Sequence, residues 1–74
     1  FIIQIGSFKK AQQADTLRAR LALLGIESTV QTVNQSGSIW HRVKSGPYTS
    51  FRMVDKIQNR LHRNNIDSIA IKLK

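Results

Sequence analysis

Ala14-Asp15-Thr16-Leu17-Arg18-Ala19-Arg20-Leu21-Ala22-Leu23-Leu24-Gly25-Ile26-Glu27-Ser28 returns forty positions later as Val54-Asp55-Lys56-Ile57-Gln58-Asn59-Arg60-Leu61-His62-Arg63-Asn64-Asn65-Ile66-Asp67-Ser68. No gap is needed. Asp15 falls on Asp55, Arg20 and Leu21 on Arg60 and Leu61, and Ile26, Glu27 and Ser28 on Ile66, Asp67 and Ser68. Gly25 falls on Asn65, the two residue types that most readily take the left-handed conformation ending a helix. Further toward each start, Gly6 meets Gly46 and Phe8 meets Tyr48. A unit of this length seen twice implies two copies of one supersecondary element folded against each other, since a solenoid usually needs three or more.

Each copy reads as strand, helix, strand. Phe1-Ile2-Ile3-Gln4-Ile5 alternates, so Phe1, Ile3 and Ile5 share a buried face while Ile2 and Gln4 look the other way. From about Lys10 the period changes: Ala14, Leu17, Leu21 and Leu24 form the stripe of an amphipathic helix, which Gly25 ends. A second strand follows over roughly 28–33, where Val30 and Val33 both ask for the core and leave its facing open. Residues 34–38 are the one loop-like stretch and read as the hairpin between the copies. Ile39 to Lys44 then forms the third strand, with His41 and Val43 facing the core as Phe1 and Ile3 do. Trp40, Arg42 and Lys44 therefore face outward. Gly46-Pro47 breaks this strand, Thr49 or Ser50 caps a second helix striped by Val54, Ile57 and Leu61, and Asn65 ends it. Ile69, Ile71 and Leu73 make the last strand.

The order is βαββαβ, and right-handed crossovers place both helices on one face of a four-stranded antiparallel sheet. This is the α+β, ferredoxin-like or RNP-type arrangement. Its first and third strands lie side by side at the centre, which gathers Gln4, Trp40, Arg42 and Lys44 on the face the helices leave bare.

Composition limits the rest. The chain has 74 residues, room for one domain, and no Cys, so neither a disulfide nor a thiolate metal site supports it. It begins at Phe1 inside an apolar run, with no signal-type segment and no stretch long enough to span a bilayer, and is expected to be a module of a longer protein. Twelve Lys and Arg against four Asp and Glu give a net charge of +8. That charge favours anionic partners, and it serves solubility equally well.

Catalysis is discounted on the same residues. All four carboxylates fall into repeat pairs, Asp15 with Asp55 and Glu27 with Asp67, which indicates shared helix and turn roles rather than an acid-base pair. His41 is expected on the core side and His62 on a helix flank. Neither has a second ligand at metal spacing, so no metal and no cofactor is expected.

An outward Trp beside Arg, Lys and Gln offers a flat stacking surface ringed by donors. Two ligand classes fit it. RNA is one, because the same topology in RRM domains stacks bases on the central strands. However, Val43-Lys44-Ser45-Gly46-Pro47-Tyr48 lacks the paired stacking aromatics of that module. A sugar polymer bearing carboxylates is the other, a single Trp stacking on a pyranose while Arg and Gln take acid groups and hydroxyls. A domain that contacts only protein would leave Trp40 and Gln4 without a role.

Gln4-Ile5-Gly6-Ser7-Phe8, Trp40-His41-Arg42-Val43 and Gly46-Pro47-Tyr48, with the two helical stripes between them, closely resemble a SPOR domain across essentially the whole chain. Within that family the likeness is greatest to the C-terminal domain of a bacterial cell-division protein. The resemblance implies non-catalytic binding of septal peptidoglycan, specifically denuded glycan strands from which amidases have removed the stem peptides. It implies a periplasmic site of action at the division septum, with the parent chain tethered to the inner membrane and contacting other division proteins through its remaining parts. The domain itself is expected to be monomeric, with no nucleic acid and no membrane contact.

Carried over position by position, the family's glycan contacts fall on Gln4, Ser7, Trp40 and Arg42. Trp40 is expected to stack, Arg42 to pair with carboxylate or hydroxyl, and Gln4 to bond sugar or N-acetyl groups. Ser7 is expected beside the bare face, with a turn or cap at the strand-to-helix junction as its other role. Ile2, Lys44 and Lys72 join as second-tier candidates from facing alone. His41 stands where the family often has an aromatic or other bulky residue, and a buried histidine there needs a hydrogen-bond partner.

Overall fold

The computed structural model describes residues 1–73. Its elements are β1 (Ile2–Phe8), α1 (Ala11–Leu23), β2 (Thr29–Gln35), β3 (Ser38–Ser45), α2 (Phe51–Arg63) and β4 (Ile69–Ile71). The strands form one antiparallel sheet in the order β2-β3-β1-β4, with β1 and β3 at its centre. The expected ferredoxin-like α+β arrangement is the one observed.

The repeat is written into the core. Nine apolar side chains are buried, and eight of them are four repeat pairs: Ile3 with Val43, Ala14 with Val54, Leu21 with Leu61, Ile26 with Ile66. Both helices and the central strands thus close on one symmetric cluster. The ninth, Ile5, has Ser45 as its counterpart, the one buried polar residue among those described. Ser45 Oγ donates to the Glu27 carbonyl at 2.6 Å and accepts from the Tyr48 hydroxyl, so its burial leaves no orphan group.

The helix ends follow the expected residues. Gly25 and Asn65 both have positive φ, +76° and +59°. The Ile26 amide bonds the Leu21 carbonyl at 2.9 Å and the Gly25 amide bonds Ala22 at 3.0 Å; Ile66 to Leu61 and Asn65 to His62 repeat both distances. These are two Schellman closures. Ser50 caps α2, its hydroxyl accepting from the Arg52 amide at 3.2 Å, whereas Lys10 at the start of α1 supplies no side-chain cap.

The two closures are also tied to each other. Arg20 Nη2 donates to the Asn64 carbonyl at 3.0 Å, and Arg60 Nη1 donates to the Leu24 carbonyl at 3.1 Å. Leu24 and Asn64 are the C-cap residues of α1 and α2. Each helix therefore lends an arginine to the C-terminus of the other, where a cation also suits the helix dipole.

Three local features set which side chains reach the open face of the sheet. First, Gln4 pairs with Lys44 but Gly6 pairs with Val43, so Ile5 is an extra residue in β1 and the strand bulges there. Ile3 and Ile5 are buried, Gly6 then stands on the helix side opposite Val43, and Ser7 turns to the open side opposite Arg42. Gly6 has no room for a side chain: a Cβ there would lie 2.9 Å from Leu17 Cδ2 and 2.8 Å from the Phe8 ring. Second, the hairpin is tighter than the expected loop over 34–38. Only Ser36 and Gly37 turn, both with positive φ, as a type I′ turn requires, and Asn34, Gln35 and Ser38 belong to the strands. That register sets Val30 opposite Val43 on the helix side and Val33 opposite Trp40 on the open side. Two valines three apart cannot share a strand face. Third, β4 has only three residues. Ala70 pairs with buried Ile3, while Ile69 and Ile71 pair with Gln4 and Ile2 and lie open.

His41 sits on the helix side opposite Phe8 and Thr32, half-buried. Its Nδ1 lies 3.3 Å from the Thr32 hydroxyl, which is the partner its position required.

Candidate functional site

The open face is laid out in rows across the sheet. One row runs Thr29, Lys44, Gln4, Ile69; the next runs Gln31, Arg42, Ser7; then come Val33 with Trp40, and Gln35 with Ser38 at the hairpin. Ile2 and Ile71 extend the face at the other end. Gln4, Ser7, Ile2, Trp40, Arg42 and Lys44 thus share one surface, as read from the sequence. They do not form a single knot. Lys44 lies four positions along β3 from Trp40, roughly 13 Å of strand, so Gln4 lies beside Lys44 and away from the indole.

Lys72 is not brought onto this face. Its candidacy assumed that Ile69 and Ile71 point to the core, but β4 keeps the facing of its repeat partner β2. Ile69 stands where Thr29 stands and Ala70 where Val30 stands, so the inward residue is Ala70. Lys72 follows the end of β4 and is exposed.

The cationic heads are oriented rather than free. Lys44 Nζ donates to Gln31 Oε1 at 2.6 Å, and Arg42 Nη2 donates to Gln35 Oε1 at 3.0 Å. Lys9 Nζ lies 5.3 Å from the centre of the Trp40 ring, within cation-π range. None of the four carboxylates lies on a strand: Asp15 and Asp55 are on the helices, Glu27 and Asp67 in the connections that follow them. The strands therefore bring positive charge to the face and no side-chain carboxylate, although Glu27 lines a cleft with Lys44 at one end.

Its opposite corner is apolar. Ile69 is 65% exposed and Ile71 39%, beside half-buried Ile2. A ligand crossing the sheet from β2 to β4 would pass from an aromatic and cationic region onto a greasy one. That combination suits a molecule with both acid groups and CH-rich faces.

Gln31, Gln35, Lys9 and Val33 belong to the face but were not among the candidates. The signal that finds the three on β2 is the two-residue turn at Ser36 and Gly37, whereas Lys9, just past the end of β1, meets Trp40 only in the folded sheet. Counting outward from the turn pairs Gln35 with Ser38, Val33 with Trp40 and Gln31 with Arg42.

A cleft of about 850 Å³ beside α1 is lined by Asp15, Arg18, Glu27, Ser28 and Tyr48 among others, and reaches Thr29 and Lys44 at the end of the open face away from Trp40. A smaller groove of about 460 Å³ beside α2 is lined by the repeat partners Asp55, Gln58, Asp67 and Ser68. Because both copies produce it, this groove belongs to the packing of helix on sheet. Among the described residues no group of three His, Cys, Asp or Glu could hold a metal, and no helix is long and apolar enough to cross a membrane.

Comparison with known proteins agrees with the fold. The crystal structure of the RlpA SPOR domain from Pseudomonas aeruginosa superposes with a TM-score of 0.83 at 24% identity, covering 95% of this chain and 97% of that one. The solution structure of the peptidoglycan binding domain of the B. subtilis cell wall lytic enzyme CwlC gives 0.75 at 28% identity, covering 95% and 84%. The family model for the SPOR domain matches residues 1–72. With nearly its whole length so matched, the chain belongs to the SPOR domain family.

Proposed function

We propose that this domain is a non-catalytic module that binds peptidoglycan, taking as its ligand glycan strands stripped of their stem peptides. The observation that carries the reading is the open sheet face, where Trp40, with Lys9 over its ring, shares one surface with Arg42 and Lys44 and the strands bear no side-chain carboxylate. Removing the peptide from N-acetylmuramic acid frees its lactyl carboxylate, so a denuded strand is a spaced polyanion that still presents sugar faces. Trp40 stacks on a pyranose, Arg42 and Lys44 take carboxylates, and Gln4 and Ser7 take hydroxyl or N-acetyl groups. Membership of the SPOR family and likeness to a domain named for peptidoglycan binding support the ligand class.

On this reading the domain concentrates its parent protein in the periplasm at the division septum, where amidases denude glycan. The test is co-sedimentation with amidase-treated sacculi. Wild-type protein is retained, and Trp40→Ala or Arg42→Ala is lost to the supernatant while its circular dichroism spectrum is unchanged. Equal retention of both variants would remove the site. Retention by oligonucleotides instead, falling steeply as salt is raised, would replace the ligand with nucleic acid.

A further inference from the structure

We infer that Gln31 and Gln35 of β2 are positioning residues that comb the two cations of β3 toward Trp40; this rests on the glycan reading above. Arg42 stands opposite Gln31, yet its guanidinium bonds Gln35, which is paired with Ser38 at the hairpin end. Lys44 stands opposite Thr29, yet its ammonium bonds Gln31 one row nearer the hairpin. Both side chains lean the same way along β3. The lean carries the Arg42 head toward the hairpin end, past the row of Val33 and Trp40, and the Lys44 head one row nearer to it, while Lys9 lies over the ring.

The chemistry of the holder matters as much as its place. An amide oxygen accepts a hydrogen bond from a cation without cancelling its charge, so Arg42 and Lys44 stay available to a ligand carboxylate through their remaining donors. A carboxylate at either position would occupy the cation and repel the ligand. An apolar side chain would leave the head to sample rotamers that must be frozen on binding. Glutamine is the residue type that orients without competing.

Binding curves to amidase-treated sacculi, taken by depletion for wild type, Gln35→Met, Gln35→Glu, Gln31→Met and Gln31→Glu, test this. The Met variants, of similar length without an acceptor, should weaken binding by about three- to tenfold. The Glu variants should weaken it further, although they keep the bond to the cation. Thermal midpoints should not move for any of them. In an Arg42→Ala background Gln35→Met should have no further effect, which a merely structural role of Gln35 would not produce.

Unchanged affinity in the Met variants, or Glu variants that bind as tightly as wild type, would overturn the inference. If wild type itself is not retained, the glycan reading fails separately. NMR order of the Arg42 Nε–H group then decides the positioning alone: lost order in Gln35→Met upholds it, and unchanged order refutes it.

Discussion

Removing Arg20 or Arg60 should cost the fold the same amount, and removing both should cost twice as much. The two guanidiniums reach carbonyls at 3.0 and 3.1 Å, on repeat-related C-cap residues of the opposite helices. Each Ala variant gives up one charge-assisted bond and one favourable charge at a helix end, together about 1 kcal/mol once exposure to water is allowed for. The two bonds share no atom, so the double variant should lose about 2 kcal/mol. For a domain of this size that lowers the thermal midpoint by roughly 8–16 °C. Total stability of a domain of this length is about 4–11 kcal/mol, so the double variant remains folded. Urea titration followed by circular dichroism measures it, with an unchanged m-value expected. Arg→Lys variants keep the end charge and report what the planar bond adds. Binding to sacculi should be unaffected, because the pair lies on the helix side. The reasoning fails if one substitution is silent, or if the double variant loses no more than a single one.

Gly6→Ala should destabilise the domain by about 1–3 kcal/mol, because its Cβ would meet Leu17 and the Phe8 ring at under 3 Å; chemical denaturation measures the loss. Leu21→Ala and Leu61→Ala, both fully buried repeat partners, should cost about 2–5 kcal/mol each and within about 1 kcal/mol of one another. A large disparity between them would mean that the two halves of the core relax differently. Lys72→Ala should leave retention by sacculi unchanged, in contrast to Arg42→Ala; a comparable loss would bring the C-terminal segment into the site.

The repeat made most of the fold legible. It located both helix stripes, the left-handed residues that end them, and the facing of β3 that turns Trp40, Arg42 and Lys44 outward. What escaped depends on contacts a pattern does not carry. Val30 and Val33 present the same letter on opposite faces, and only the length of the hairpin turn tells them apart. Ile69 and Ile71 are apolar yet open, so hydrophobicity misassigned the strand that recommended Lys72, while its repeat partner β2 shows the true facing. The links from Gln31 to Lys44 and from Gln35 to Arg42 are diagonal, made by long side chains that leave their own rows. The Arg20 and Arg60 exchange was visible as a matched pair of letters, but its purpose needed the approach of the two helix ends.

A strand keeps time in twos, and Ile5 is one added beat. Up to Gln4, even-numbered residues look out of the sheet; from Ser7, odd-numbered ones do. A single residue thus lets β1 supply two inward isoleucines and still deliver Ser7 to the same side as Gln4. Deleting Ile5 would remove the bulge and leave Gly6, Ser7 and Phe8 on their present sides, whereas keeping Ile5 in a flat, unbulged strand would send Ser7 toward the helices and Phe8 toward the open face. Any comparison of related chains that closes this one-residue offset would exchange the inside and the outside of the segment beyond it.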